Sequence, residues 1–434
     1  MDYARNLLTL AMRSGAEEAE VFGTSGRSVD VNLRKDQVEL ASESFHQGLG
    51  LRAVVHGAVG FSSTSDMTRL EFVAEAAVKS ARARGGDESW RSFPLPEKVQ
   101  IPQKIFDTAL DRIAPEDCLE LSSQMLHGCE EVRGAEPVSG GVTCVSGMEF
   151  VVSSRGIELS EKGTSVHASM EAIAKGSDVA TGTEFHNSRI LVADLHGVGK
   201  TAAEMAKMSI NGSKAESGTY DVILKPVAFV ELLEYAFVPS ILADDVQKGR
   251  SHLAGRLGEK IGSEHLGIID DGLFTGGMGT SAFDGEGVAS KRNAIIEKGV
   301  LKGFLYDSYT AGKDGLKSTG NAVRTGYSDV PRLGIRNLLV NSDQAFDLEA
   351  ETKGMLVHGF IGAHTANPIS GDFSVEARNS FFISPKESPK PISSMMLAGN
   401  IFEILKEIDL GIDVRAVDGV VTPSVRAKMK VVGS

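Results

Sequence analysis

The sequence predicts an α+β fold in two domains. Residues 1–215 form an N-terminal domain of antiparallel sheet with packed helices, and residues 216–434 a C-terminal, mainly antiparallel β domain with a few helices. Three observations predict it. Runs alternating apolar and polar residues lie at 28–64, 138–153 and 156–175, the period of half-buried strands. Stretches with apolar residues at helical spacing flank them. Strands come before and after helices within each half, which argues against repeated βαβ units.

In chain order, MDYARNLLTLAMRSG reads as an amphipathic helix with Leu7, Leu8, Leu10, Ala11 and Met12 as its apolar positions, without the basic start or cleavage site of a signal peptide. SVDVNLRKDQVELASES and GLGLRAVVHGAVGFSSTS follow as strands, with Gly57 set for a hairpin turn. Asp66 is a predicted N-cap for a helix carrying Leu70, Val73, Ala74 and Ala77 on one face and stopping near Gly85 and Gly86. Residues 87–110 hold several prolines without a sustained period and read as an extended surface connection. Pro115 opens the next helix, since proline lacks only an N–H that the first turn leaves unused, and the acids beside it suit a helix N-terminus. After two more strand runs and the helix-like TAAEMAKMS, the small polar stretch NGSKAESG at 211–218 marks the domain boundary. Beyond it come one or two helices, a long Gly-rich β region, and a final helix candidate in LAGNIFEILKEIDL.

Composition narrows the function. At 434 residues the chain exceeds the roughly 100–200 that one core serves, so two domains are expected. A net charge of -13 without a basic patch argues against nucleic acid as a partner, because affinity there comes from clustered Lys and Arg. No run approaches the ~20 apolar residues of a membrane span. Cys118, Cys129 and Cys144 are an odd set without a CxxC pair, as expected of free thiols in a reducing, cytoplasmic compartment.

Several motifs resemble sites and fail on spacing. ADLHGVGKT ends like a phosphate loop, but the position needing the first glycine is Asp194, whose charge repels phosphate, so a turn into a helix is expected. None of the histidines forms the tight pair of a hydrolytic zinc site; His358 and His364 are close in sequence, but alternation and a glycine separate them. No GxSxG elbow is present. Asp284 and Glu286 sit among glycines in TSAFDGEG without EF-hand spacing and read as solvated turn acids.

Six phrases, taken together and in order, carry a resemblance that no single one does. They are GLGLRAVVHGAVGFSSTS, IIDDG at 268–272, DGEGVASKRNAIIEKGVLKGFLYDSYTA at 284–311, STGNAVR at 318–324, NPISGDFSVEA at 367–377 and PISSMMLAGN at 391–400. From about Arg34 onward the chain resembles the TldD/PmbA family, named as modulators of DNA gyrase and regarded as parts of a zinc-dependent peptidase. In its catalytic TldD branch a helix carries HExxxH, two zinc-binding histidines and a general base, and a cysteine near the C-terminus completes the site. Anchored on GRSHLAGRLGE from Gly249, those positions fall here at Glu234, Tyr235 and Pro239. Glu234 keeps a donor oxygen, Tyr235 is a poor base at neutral pH, and Pro239 cannot bind metal. The last cysteine is Cys144, and no histidine lies between His196 and His252.

The resemblance therefore implies the PmbA/TldE branch: a non-catalytic subunit, with no catalytic or metal residue of its own, that pairs with a TldD-like chain holding the zinc and acts on unfolded peptides. Val230, Leu232, Leu233, Ala236 and Phe237 are expected to bury the apolar face of the retained helix. Gly320, Asn321, Arg324, Asn367, Gly371 and Asp372 are candidates for shaping the peptide cavity or interface; the bland alternative is that they make turns and buried hydrogen bonds. Two other readings stay open: a homo-oligomeric peptide-binding module without a peptidase partner, the isolated chain being a possible homodimer, and a hydrolase with its own site, its metal held by Glu234 and a distant histidine.

Overall fold

The computed structural model describes residues 1–433. Six long strands form an antiparallel sheet: β1 (Glu18–Arg34), β2 (Gln37–Val55), β3 (Ala58–Thr64), β4 (Ala135–Ser153), β5 (Glu158–Lys175) and β6 (Val179–Ser188), in the order β3-β2-β1-β4-β5-β6. The β2–β3 hairpin turns through His56 and Gly57, both with positive φ, which glycine adopts without the steric cost a Cβ brings. The sequence does not announce β6, in which only Gly182 is buried.

Strand alternation gives this sheet two different faces. On one face Val21, Val29, Val31 and Leu33 of β1 and Val142, Cys144, Phe150 and Val152 of β4 are buried. They pack under α1 (Asp2–Arg13) and α2 (Leu70–Arg84) at one end, and under α4 (Pro115–Glu130) and α5 (His196–Met208) at the other; the short α3 (Thr108–Asp111) precedes α4. Asp66 accepts the N–H of Thr68 at 2.9 Å and caps a short turn leading into α2. Asp117 accepts the N–H of Ala114 at 2.9 Å at the head of α4. The Gly199 and Lys200 of the phosphate-loop look-alike lie inside α5. There a Cβ on Gly199 would come within 1.8 Å of the Met125 carbonyl, so this glycine serves the close approach of α5 to α4.

The other sheet face carries Glu20 and Phe22 of β1, Arg52 of β2, Glu149 and Val151 of β4 and Glu161 of β5, and it faces loops of the second half. Phe22, Val151 and Ile157 pack there with Ala282 and Phe283. Residues 87–107 have no regular structure, but they are not wholly superficial, because Phe93 and Ile105 are buried.

From β7 (Gly218–Leu224) onward the chain builds a second β body. The strand Gly354–Ile361 pairs in parallel with β7 and antiparallel with Asp372–Ile383. The path then runs through Met395–Asn400 and Val425–Gly433 back to β7, so it closes into a ring. A second sheet contains Leu266–Asp271, Arg292–Glu297 and Leu338–Ser342, the last parallel to Val420–Thr422. Both sheets share one large apolar core. The final helix is shorter than its periodicity suggests, Ile401–Lys406, because Leu397 to Asn400 are claimed by the ring and the Asn400 side chain caps Phe402 and Glu403. Among the described residues no helix is long and apolar enough to cross a membrane, and the three cysteines are buried free thiols.

Candidate functional site

After β7, Pro226 starts α6 (Pro226–Leu232), which runs into a π-helical turn, Leu233–Phe237, and a last turn, Val238–Ile241. Val230, Leu232, Leu233, Ala236 and Phe237 are all buried, as the apolar pattern predicts. In the π turn the N–H of Val238 bonds to Leu233 O, five residues back. Such turns concentrate at functional sites. Pro239 has no N–H with which to extend the pattern from Glu234.

The open side of this helix lines a cavity of about 430 Å³, shared with Phe185 of β6 and with His358, Phe360, His364, Arg378, Arg415 and Asp418. His358 and His364 therefore both reach one cavity with Glu234. Burial pushes the Glu234 carboxyl above its usual range and Asp418 pushes it further. Burial also raises Glu231, although its Oε2 accepts the N–H of Phe360 at 2.7 Å. His358 is held neutral, its pKa lowered to about 4 by burial and by the charges of Lys225 and Arg415. The Tyr235 ring meets His364 edge-on at 6.4 Å. Pro239 does not line the cavity. Glu231 and Asp418 were missed in the sequence; Glu231 lies one helical turn before Glu234 and was findable, whereas Asp418 comes from a distant turn.

A larger cavity, about 590 Å³, lies between the polar sheet face and loops of the second half, and Arg324 is on its wall. Arg324 donates to Gly285 O at 2.8 Å and Asp329 O at 2.9 Å and pairs with the fully buried Glu20. Arg52 joins them, bonding both oxygens of Glu20 at 3.0 and 2.7 Å.

Asp284 and Glu286 correct the expectation of solvated turn acids: they are 2% and 1% exposed. Glu286 takes Arg52 at 2.9 Å and the N–H of Ser308 at 2.9 Å. Asp284 accepts three backbone N–H groups, from Glu286, Val288 and Ala322, and burial with the charge of Glu286 raises its pKa to about 7. The glycine-rich turn is folded inward, against the N-terminal sheet, which its local sequence does not reveal.

The remaining candidates lie off both cavities. Gly320 turns at φ +80°, and Asn321 is fully buried, donating to Asp270 at 2.7 Å and Gly334 O at 2.9 Å. Asn367, Gly371 and Asp372 come together in one surface turn. There Asn367 accepts the N–H of Ile369 at 2.9 Å, and Asp372 accepts from Asn400 and Ser370, which hold its carboxyl below the usual range.

Family profiles match nearly the whole chain in three consecutive parts. The PmbA/TldA metallopeptidase domain 1 covers residues 19–81, the central domain residues 94–210 and the C-terminal domain residues 217–433. This chain belongs to the PmbA/TldD metallopeptidase family. Among relatives of this PmbA/TldD protein, "Uncharacterized protein MJ0231" of Methanocaldococcus jannaschii is 32% identical over 96% of each chain. A protein named "Metalloprotease" from Methanothermobacter thermautotrophicus is 28% identical over 95% of this chain and 92% of its own. The crystal structure of TldE from Thermococcus kodakarensis superimposes with a TM-score of 0.92 at 25% identity, over 99% of this chain and all of that one.

The zinc that the family resemblance implies does not fit the residues at the positions which that resemblance assigns to the motif. Zinc binds thiolate, imidazole and carboxylate, and structural and catalytic sites take three or four such donors from the protein. Glu234 offers one carboxylate, while Tyr235 and Pro239 add nothing suitable at neutral pH. Although His358 and His364 share the cavity, no group of three or more His, Cys, Asp or Glu among the described residues is arranged to hold a metal ion.

Proposed function

We propose that this chain is the non-catalytic, TldE/PmbA-like subunit of a TldD/TldE-type peptidase that cleaves unfolded peptides, with the zinc carried by a TldD-like partner. The observation that carries the reading is the chemistry at the π turn. The helix and its buried face are kept, yet the three positions hold glutamate, tyrosine and proline. Similarity over essentially the full length to a solved TldE supports it.

Within such a complex this chain acts by enclosure. Its cavity walls restrict entry to extended chain, and its free backbone edge offers a docking line. β3 pairs with β2 only from Leu49 to Val55, so among the described residues the outer edge of β2 before that has no partner strand, and Val38, Leu40 and Phe45 are exposed there. An extended peptide or a partner strand adds to such an edge through main-chain hydrogen bonds. Buried free thiols support a reducing cytoplasmic setting.

Metal analysis and peptide digestion with the isolated chain test the reading. Neither stoichiometric zinc nor cleavage of an unstructured peptide is expected. Bound zinc together with cleavage that chelation abolishes points instead to an independent hydrolase.

A further inference from the structure

Two of the three thiols are neighbours in space that the sequence holds apart. Cys118 lies on the inner face of α4 with Leu121, Met125 and Cys129. Cys144 lies on the helix-covered face of β4, in register with Val29 of β1 and Val166 of β5. Both belong to the apolar cluster under α4 and α5, at 0% and 2% exposure. The Cys144 S–H donates a hydrogen bond to the Cys118 sulfur. That bond makes the Cys118 thiol more acidic than an ordinary cysteine; Arg27 acts in the same direction, against burial, Asp117 and Asp30. Cys129, about three turns further along the same helix, has no thiol partner among the described residues, and burial with the charge of Glu130 pushes it up to about 11.

A thiol that is merely buried packs as a small apolar group and stays inert. This pair differs in two respects. A more acidic sulfur and a second thiol face each other, the arrangement from which a disulfide closes. A cavity of about 260 Å³ also lies beside them, with Arg27, Asp111, Ser146 and Met148 in its wall. Ser146 follows Cys144 on the same strand face, and Arg27 holds the chain ahead of α4, donating to Ile113 O at 2.6 Å. The cavity is several times the roughly 30 Å³ share of one water molecule, so an oxidant little larger than water fits in it.

We propose that Cys118 and Cys144 form a reversible redox site that hydrogen peroxide closes into a disulfide. The Cys118 thiolate attacks one peroxide oxygen and breaks the O–O bond, giving a sulfenic acid. The other oxygen leaves as hydroxide and takes up the thiol proton to become water. The Cys144 sulfur then displaces the sulfenic oxygen, which leaves as a second water carrying the Cys144 proton. Each sulfur gives up one electron, and the peroxide is reduced to two waters. Two equivalents of a small thiol reverse the bond by exchange. The site does not depend on the accessory-subunit reading.

Peroxide treatment of the purified full chain, followed by alkylation in denaturant and peptide mapping, tests it. One disulfide between Cys118 and Cys144 is expected, so the three titratable thiols fall to one, Cys129, and dithiothreitol restores them. The urea-unfolded chain is the control. There loop closure favours cysteines near in sequence, so pairs involving Cys129 should outnumber the Cys118–Cys144 pair. In Cys144→Ala a sulfenic-acid probe should label Cys118, and in Cys118→Ala labelling of Cys144 should be at least about tenfold weaker. Melting curves check that both variants fold, and mapping of the parent chain decides the matter if either does not. The proposal is overturned if no Cys118–Cys144 bond forms at a peroxide excess that oxidises the unfolded chain, if the bond joins Cys129, or if it links separate chains. Equal labelling of the two variants would overturn the role of Cys118 as the attacking sulfur.

Discussion

Arg52 in the N-terminal sheet donates to Glu286 in the C-terminal half at 2.9 Å, with side chains 6% and 1% exposed. Sequence separation hides this contact, yet it fixes the two halves against one another. Removing one partner of a buried ion pair leaves a charge without compensation, which costs about 3–5 kcal/mol. Arg52→Met should lower the unfolding free energy by that amount in urea titrations. The double variant Arg52→Met with Glu286→Gln should recover part of the loss, because the stranded charge is gone. A change within about 0.5 kcal/mol would mean that the halves do not depend on this link.

His358 sets a pH dependence. Its folded pKa is about 4 against an ordinary 6.5, so between those values the unfolded chain takes up a proton that the folded chain refuses. The associated stability is intact above pH 6.5 and is lost as pH falls towards 4, by at most about 3 kcal/mol. In melts across this window, His358→Phe should lose less stability on acidification than the parent protein. Parallel curves would place His358 in a better solvated setting.

The family resemblance puts Glu234 at a metal-ligand position, but its raised pKa comes from burial and the repulsion of Asp418, and among the described residues it has no hydrogen bond to sustain its charge. Glu234→Gln should leave peptide hydrolysis by the reconstituted complex within about twofold, whereas losing a general acid or base typically costs about 10²–10⁴-fold. A drop of that larger size would make Glu234 part of the chemistry.

Gly371 has φ +80°, and a Cβ there would lie 2.6 Å from the Phe402 ring. Gly371→Ala should destabilise by about 1–3 kcal/mol through backbone strain and overpacking. Thermal melting measures it, and an unchanged midpoint would show that the turn relaxes freely.

Local signals in the sequence were reliable where local physics decides. Asp66 caps as its position suggests, His56 and Gly57 turn the hairpin, Pro115 opens its helix, and the apolar face of the π-turn helix is buried residue for residue. Features set by distant partners were not legible. Ring closure depends on Gly354–Ile361 meeting two strands at once. Asp284 and Glu286 look like turn acids until Arg52 and the Ala322 N–H are brought to them. Glu149 and Glu161 are ordinary strand residues by alternation, and only the β4–β5 register sets the two carboxylates side by side. The assignment of Glu234, Tyr235 and Pro239 to motif positions rests on the family resemblance alone, since no spacing rule marks an absence.

The most direct test of the central claim is reconstitution. This chain and a TldD-type chain carrying HExxxH are purified separately, then assayed alone and mixed against an unstructured peptide. No cleavage is expected from either chain alone, and zinc-dependent cleavage from the mixture, saturating at equal amounts of the two. Hydrolysis by the TldD-type chain that is unchanged on adding this one, or hydrolysis by this chain alone, would contradict it.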